Sequence, residues 1–421
     1  VSKACAEGKK AISPLFIMAR TFIDVAEADA LLRGMVRSFP VETIPIWEAE
    51  GRILREPVKA DAAYPPFDRV CMDGFAIRYQ DIEQGRRVFA VEGYAPAGKE
   101  PPALNSPDAC IEVMTGAALP PGTDCIIPVE QTQRSDDRIE LKPDIEIRPR
   151  QHIHNRGRDY QAGDILLEQG TRLLGPQLAV AAAVGYSRIP VARRPRFMLV
   201  LTGDELVPVE SQPQGPQIRM THPYALQGLL RPWLDLSWTH SRDDATELRG
   251  AIKKALTEAD GVLITGGVSA GKYDLVPETL EAMGVKMLFH KVQQRPGKPL
   301  WVGESNNGKP VFAFPGNPVA ATMCTRRYLI PWLWRCLGMD EPVSLKLPLG
   351  EPLNGLEKLT LFSAMQKQTR PDGSWEARPC KVQGSGDFSG LSGSHGFVEI
   401  PAGRIQLNAG ELVPYYDWSF A

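Results

Sequence analysis

The chain is short of most features that would give a function away by composition. Its 421 residues include seven cysteines, at positions 5, 71, 110, 125, 324, 336 and 380, and no two form a C-x-x-C pair. An odd, scattered set argues against both a zinc ribbon and a disulfide framework, and fits a reducing compartment. No apolar run approaches the 18 or more residues of a membrane span; A-I-S-P-L-F-I-M-A, after Lys9 and Lys10, is short and broken by Pro14. A net charge of -2 gives no electrostatic footprint for nucleic acid or anionic lipid. The expectation is therefore a cytoplasmic protein with neither nucleic acid nor membrane as partner.

What remains is ordinary globular material, 43% hydrophobic and 23% charged, long enough for about three domains. Residues 1–17 differ in character from the rest of the chain, and Met18 stands just ahead of a clean amphipathic start, so an over-long start is one expectation. Val25, Ala28, Leu31, Leu32 and Met35 recur at helical spacing. Residues 61–147 are rich in Pro and Gly with short β-type runs, which predicts a small β domain. That domain would be inserted into a mixed linker domain made of 21–60 and 148–190. From 191 to 337 strands and helices alternate, predicting an α/β module whose mostly parallel sheet is covered by helices on both faces. Residues 338–421 return to a β pattern, a C-terminal β domain.

Within the α/β module Leu248, Ala251, Ile252, Ala255, Leu256 and Ala259 make one apolar stripe, with Asp244 and Glu247 spaced as a capping box. In P-G-N-P (315–318) Asn317 is placed to cap a helix whose first residue is Pro318, and Pro331 should kink or end that helix.

The stretch I-T-G-G-V-S-A-G-K-Y-D (264–274) resembles a phosphate-binding P-loop through Gly266, Gly271 and Lys272. The next position is Tyr273, where a Ser or Thr hydroxyl must reach the metal. This argues against an NTPase loop and favours either a glycine turn or a cradle for another anion. Other strand-end loops are as unusual: T-G-D-E (202–205), R-D-D (242–244) and P-G-N-P, with R-P-G-K-P (295–299) alongside. In a parallel sheet they converge on one edge, where carboxylates, cations and main-chain amides together suit a phosphorylated ligand with Mg²⁺. Each also has a plainer reading. Asp244 serves equally as a helix cap and Asp243 as its solvated neighbour; Glu205 could be a carboxylate favoured by a helix N-terminus; Arg295 and Lys298 could be surface charges. Asp73, before Gly74, reads first as a turn residue, and the H-I-H pair (152–154) as exposed rather than metal-bound.

Taken in order, P-P-F-D-R-V-C-M-D-G-F-A-I (65–77), M-T-G-A, T-G-D-E-L, R-D-D, the glycine loop, R-P-G-K-P and F-P-G-N-P-V-A-A-T resemble the molybdopterin molybdenumtransferase family, the bacterial MoeA type and the E domain of gephyrin. G-S-G-D-F-S-G-L-S-G-S-H-G-F-V-E-I-P-A-G (384–403) is similar to that family's closing domain. The resemblance implies an elongated four-part subunit, a homodimer, and Mg²⁺-dependent reaction of molybdate with adenylylated molybdopterin to give molybdenum cofactor and AMP. It implies Glu205 and Asp274 as Mg²⁺ ligands, and Asp73, Asp244 and Lys298 as catalytic groups. Thr115, Gly266, Gly267, Ser269, Gly271, Arg295, Pro315, Gly316, Asn317 and Ser385 would contact substrate, with a molybdopterin adenylyltransferase as a candidate partner. Four positions depart from the pattern. Lys272 stands for an acid, Arg295 for a lysine, His222 for part of an asparagine-containing stretch, and Ala364 for an arginine; Lys272 is the candidate to replace the lost charge. The departures at 222, 272 and 364 leave room for a pterin-binding carrier without turnover. The acids at 73, 205, 244 and 274 favour a transferase, because without metal they would repel an anionic ligand.

Overall fold

The computed structural model describes residues 20–268, 275–342, 344–380 and 387–419. At its centre lies a seven-stranded sheet in the order Arg20–Ile23, Lys286–Val292, Trp301–Glu304, Pro310–Phe314, Gly261–Thr265, Arg196–Thr202, Asp235–Ser241. All strands run the same way except Trp301–Glu304, which is antiparallel to both its neighbours. The strands Gly261–Thr265 and Pro310–Phe314 are buried at every residue, as a sheet covered on both faces requires.

Alternation along the strands sorts two cores. Phe197, Leu199 and Leu201 face a cluster containing Leu32, Leu226, Phe312, Phe314 and Trp332; Met198 and Val200 face Leu248, Ile252, Val262, Ile264 and Leu280. Helices Val25–Gly34, His222–Leu230, Pro318–Cys324 and Ile330–Leu337 thus cover one face, and Ala245–Glu258 with Leu275–Ala282 the other.

The predicted helix signals act locally. Asn317 accepts from the main-chain N–H of Val319 (3.0 Å) and Ala320 (3.2 Å). Glu247 does not complete a box with Asp244; its carboxylate accepts instead from Arg242 N (3.3 Å). Pro331 does not end the last helix. A π-turn over Thr325–Leu329 comes first, and Pro331 then sits in the opening turn of Ile330–Leu337, where a missing N–H costs little.

A second sheet, of six strands, spans Gly74–Ile77 to Arg138–Leu141, and a third is built from Thr360–Thr369, Gly396–Ile400, Leu412–Asp417 and shorter partners. Gln294–Arg295 leaves the α/β unit to join this third sheet, pairing with Thr360 and Leu361. The pair Val41–Pro45 with Arg188–Ala192 and the helix Gly175–Ala183 lie between the first and second sheets in the chain. His152 takes a left-handed backbone just before the two-residue strand Ile153–His154, so the H-I-H rings do not share a strand face; His154 instead bonds Asp159 at 2.8 Å.

Candidate functional site

The strand Asp235–Ser241 is added on one side of Arg196–Thr202 and Gly261–Thr265 on the other. The strand order therefore reverses at the carboxyl end of Arg196–Thr202, where ligands of doubly wound folds bind. A cleft of about 440 Å³ opens there, walled by Thr202, Gly203, Glu205, Thr265, Gly266, Gly267, Pro315, Gly316 and Asn317.

Glycine makes the cleft possible. Gly266 has φ +93°, and a methyl on it would fall 2.4 Å from Thr202 Oγ1; one on Gly316 would lie 3.4 Å from the Gly266 Cα. The two turns therefore approach backbone to backbone, anchored by Gly266 N to Phe314 O at 3.2 Å. Gly203, at φ +137°, lets the Glu205 carboxylate fold back over it, so that a methyl there would meet Oε2 at 2.5 Å. Two histidines brace the loops: His240 Nε2 donates to Gly203 O (2.9 Å) and His290 Nε2 to Val268 O (3.0 Å).

Of the R-D-D acids, Asp243 rather than Asp244 reaches the cleft wall. Asp244 Oδ1 accepts from Thr246 N and Glu247 N, both at 2.9 Å, as the cap of Ala245–Glu258. Asp243 N donates to Asp204 Oδ1 (3.2 Å), tying that loop to T-G-D-E. Lys298 is exposed beside Pro299, which lines the cleft, and its ammonium lies 4.9 Å from the centre of the Phe22 ring. Arg295 is exposed and occupied in the ladder with Leu361. Asp73 and Thr115 do not line this cleft. They pair with each other in the six-stranded unit, Thr115 N and Oγ1 each donating to Asp73 Oδ1 at 2.7 Å. The hydroxyl donor, then the amide, holds the Asp73 carboxyl below the usual carboxylate range. Ser269, Gly271, Lys272, Asp274 and Ser385 lie outside the described residues.

Sequence reasoning passed over two wall residues, Arg219 and Thr265, and noted His222 only as a departure from the family pattern. Among the described residues Arg219 is the one cation lining the cleft, its Nε donating to Val209 O (3.0 Å) and Ser211 O (3.1 Å). Among the described residues the hydroxyl of Thr265, a residue 1% exposed, has no partner. His222, 5% exposed in the wall, has neither ring nitrogen bonded to a described residue, and burial pushes its pKa down to about 4. Burial alone distinguishes Thr265, and burial leaves no local mark in sequence. Ala364 is packed in the core opposite Phe397, so the arginine expected there by resemblance has no counterpart on that strand position.

Among the described residues no group of three or more His, Cys, Asp or Glu converges as a metal site. Glu205 and Asp243 nevertheless place two carboxylates in one cleft. No described helix is long and apolar enough to cross a membrane. The six described cysteines are free, and burial raises the thiols of Cys110, Cys125, Cys324 and Cys336 to about 12, which leaves them unreactive.

Comparison with known proteins accounts for nearly the whole chain. Residues 23–185 match the MoeA N-terminal region (domain I and II), 199–335 a probable molybdopterin binding domain, and 356–418 the MoeA C-terminal region (domain IV). The molybdopterin molybdenumtransferase of Synechocystis is 33% identical over 399 residues, covering 94% of this chain and all of that one. The enzyme of the same name from Synechococcus elongatus is 34% identical over 406 residues, covering 93% and 98%. A molybdopterin biosynthesis MoeA protein from Pyrococcus horikoshii superposes with a TM-score of 0.81 at 28% identity, over 94% of this chain and 100% of that one. With its α/β cleft and its accessory β sheets, the chain belongs to the molybdopterin molybdenumtransferase family, enzymes of molybdenum cofactor biosynthesis.

Proposed function

We propose that the strand-end cleft takes adenylylated molybdopterin and molybdate, and that the enzyme releases AMP as molybdenum enters the pterin. The observation that carries this is the meeting, in one cleft, of two glycine turns, two carboxylates and two buried polar side chains, Thr265 and His222, that have no partner among the described residues. Close backbone approach suits a phosphate or a flat ring, and unsatisfied buried groups await a ligand.

Hard oxygen donors and a cleft open to substrate phosphates fit Mg²⁺, which keeps several waters and takes few protein ligands. Glu205 would hold it with Asp274, and Asp243 stands in the same wall. When bound, the ion would neutralise phosphate charge. Gly266, Gly267, Ser269, Gly271, Pro315, Gly316, Asn317 and Ser385 would contact the pterin nucleotide, and Arg295 and Lys298 would attract the oxyanion. Asp244 would act by fixing the loop that presents Asp243. Asp73 and Thr115, absent from this cleft, would complete it from a second subunit of a homodimer. The same reading keeps the protein cytosolic, with a molybdopterin adenylyltransferase as its supplier.

The test is AMP release from adenylylated molybdopterin by the purified protein, with and without molybdate and Mg²⁺, followed by activation of an apo-molybdoenzyme. Release dependent on both, lowered at least about 100-fold in Glu205→Gln, is the expected result. Tight pterin binding without release would sink the reading.

A further inference from the structure

Phe22 is an oddity of the first strand. It is a bulky residue at φ +62°, a backbone region such side chains avoid, and the residue is 44% exposed although Ile23 beside it is in the core. The ladder holds it in that state: Thr21 pairs with His290 and Ile23 with Val292, while Gln293 donates from Nε2 to Phe22 O (2.9 Å) and from its main chain to Ile23 O (2.8 Å). The left-handed turn brings the ring over Lys298.

Lys298 is fixed at its backbone and loose at its tip. Val292 N donates to Lys298 O (2.9 Å), and the fully buried Gln294 donates to Gly297 O (3.0 Å). Gly297 cannot take a side chain, because a methyl there would sit 2.4 Å from Cys324 Sγ. Among the described residues the ammonium makes no hydrogen bond or ion pair, and the Phe22 ring is its contact. A lysine side chain has four rotatable bonds, so without that ring the charge would sweep a wide volume.

We infer that Phe22 is a positioning residue for Lys298, whose neighbour Pro299 lines the cleft; the ring holds the ammonium in one place so that the charge is already set when an oxyanion arrives. A cation over an aromatic face keeps its net positive charge and its outward N–H groups, whereas a carboxylate partner would neutralise that charge. The inference rests on the reading of Lys298 as the oxyanion-binding group.

The test is steady-state AMP release as a function of molybdate for Phe22→Leu, Phe22→Trp, Lys298→Met and the Phe22→Leu, Lys298→Met double variant. Phe22→Leu should raise the KM for molybdate by roughly 3- to 10-fold with kcat within about twofold, and Phe22→Trp, the strongest cation–π partner, should restore it. In the Lys298→Met background Phe22→Leu should add nothing. An NMR spectrum of ¹³C-lysine-labelled protein should show the Lys298 ε-methylene displaced upfield by the ring and returned to the random-coil position in Phe22→Leu. A KM raised in Lys298→Met but unchanged in Phe22→Leu overturns the inference alone. A KM unchanged in Lys298→Met overturns the reading of Lys298, and the inference with it.

Discussion

Two concavities in this molecule invite comparison, and the larger one is the less promising. Where the first helix, the last helix and the C-terminal sheet meet, a groove of about 650 Å³ is lined by Asp29, Arg326, Arg327, Trp334, Lys367 and Tyr416, among others. Its charges face one another. Arg327 clasps Asp29 through two bonds of 2.8 and 2.9 Å and Glu399 at 2.6 Å; Lys367 meets Asp417 at 2.6 Å. Arg326 donates to the main-chain oxygen of Asp417 at 2.7 Å, its guanidinium 5.5 Å from the Trp334 and Tyr416 rings. Among the described residues the groove leaves the Tyr415 hydroxyl without a partner, and the smaller cleft leaves the Thr265 hydroxyl and both ring nitrogens of His222 so. What separates the two is that the groove's charges are met within the chain, whereas Glu205 and Asp243 share the cleft wall with two close-packed glycine turns.

If the groove is structural, its removal should be felt in stability before function. Arg327→Ala strips a buried cation from Asp29 and Glu399 and should cost about 3–5 kcal/mol, read as a lower urea midpoint, whereas exposed Arg33→Ala in the same groove should stay within about 0.5 kcal/mol. Equal midpoints for the two would break the comparison.

His222 offers the next largest effect. Its folded pKa of about 4 lies below the ordinary value of 6.5, so the unfolded chain binds the extra proton first. The associated stability is complete above pH 6.5 and is lost as pH falls from there towards 4, by about 2 kcal/mol between pH 7.5 and 5. His222→Asn should flatten that part of the urea-midpoint profile. A profile identical to wild type would show that the imidazole is not buried neutral.

Gly266→Ala introduces a side chain at φ +93° against the Thr202 hydroxyl. It should cost about 1–2 kcal/mol in stability but far more in turnover, since the cleft floor must shift. A variant that loses stability and keeps AMP release would place the ligand elsewhere.

The smallest effect sharpens the contrast by its sign. Thr265→Val removes a buried hydroxyl without a partner, so the free enzyme should be unchanged or stabilised by up to about 1 kcal/mol. Affinity for the pterin nucleotide, measured by calorimetry, should nevertheless fall about tenfold. Stabilisation with undiminished affinity would remove Thr265 from the site.

The sequence announced what local chemistry controls. Asn317 and Asp244 cap helices where P-G-N-P and R-D-D place them, because a cap is decided within three residues. The mostly parallel sheet followed from alternation, and the strand-end loops meet as that sheet requires. The reversed Trp301–Glu304 strand was not legible, since direction depends on the length of a connection rather than on the residues in the strand. Nor was it legible that Asp243 rather than Asp244 lines the cleft, because adjacent side chains leave a turn in different directions. Pro331 was legible in part: the chain stays helical past it, but the regular α-helix gives way to a π-turn over Thr325–Leu329 just ahead of it. Thr265 showed only once its surroundings could be seen, and so did the burial of His222, which the sequence had marked only as a departure from the family pattern.

The stalk of the six-stranded unit has a consequence for chain architecture. Val70 faces Ile153 and Arg69 faces His154 in one antiparallel ladder, with Tyr64 bridged to Tyr160 below. Departure and return are therefore neighbouring rungs, about 5 Å apart. In topological terms everything from 71 to 152 is the elaborated tip of a hairpin, and a two-residue turn can close the gap it leaves. The unit is thus entered and left at one point of the chain, and Val70 and Ile153, buried in its core, make that neck part of the module rather than of the central sheet.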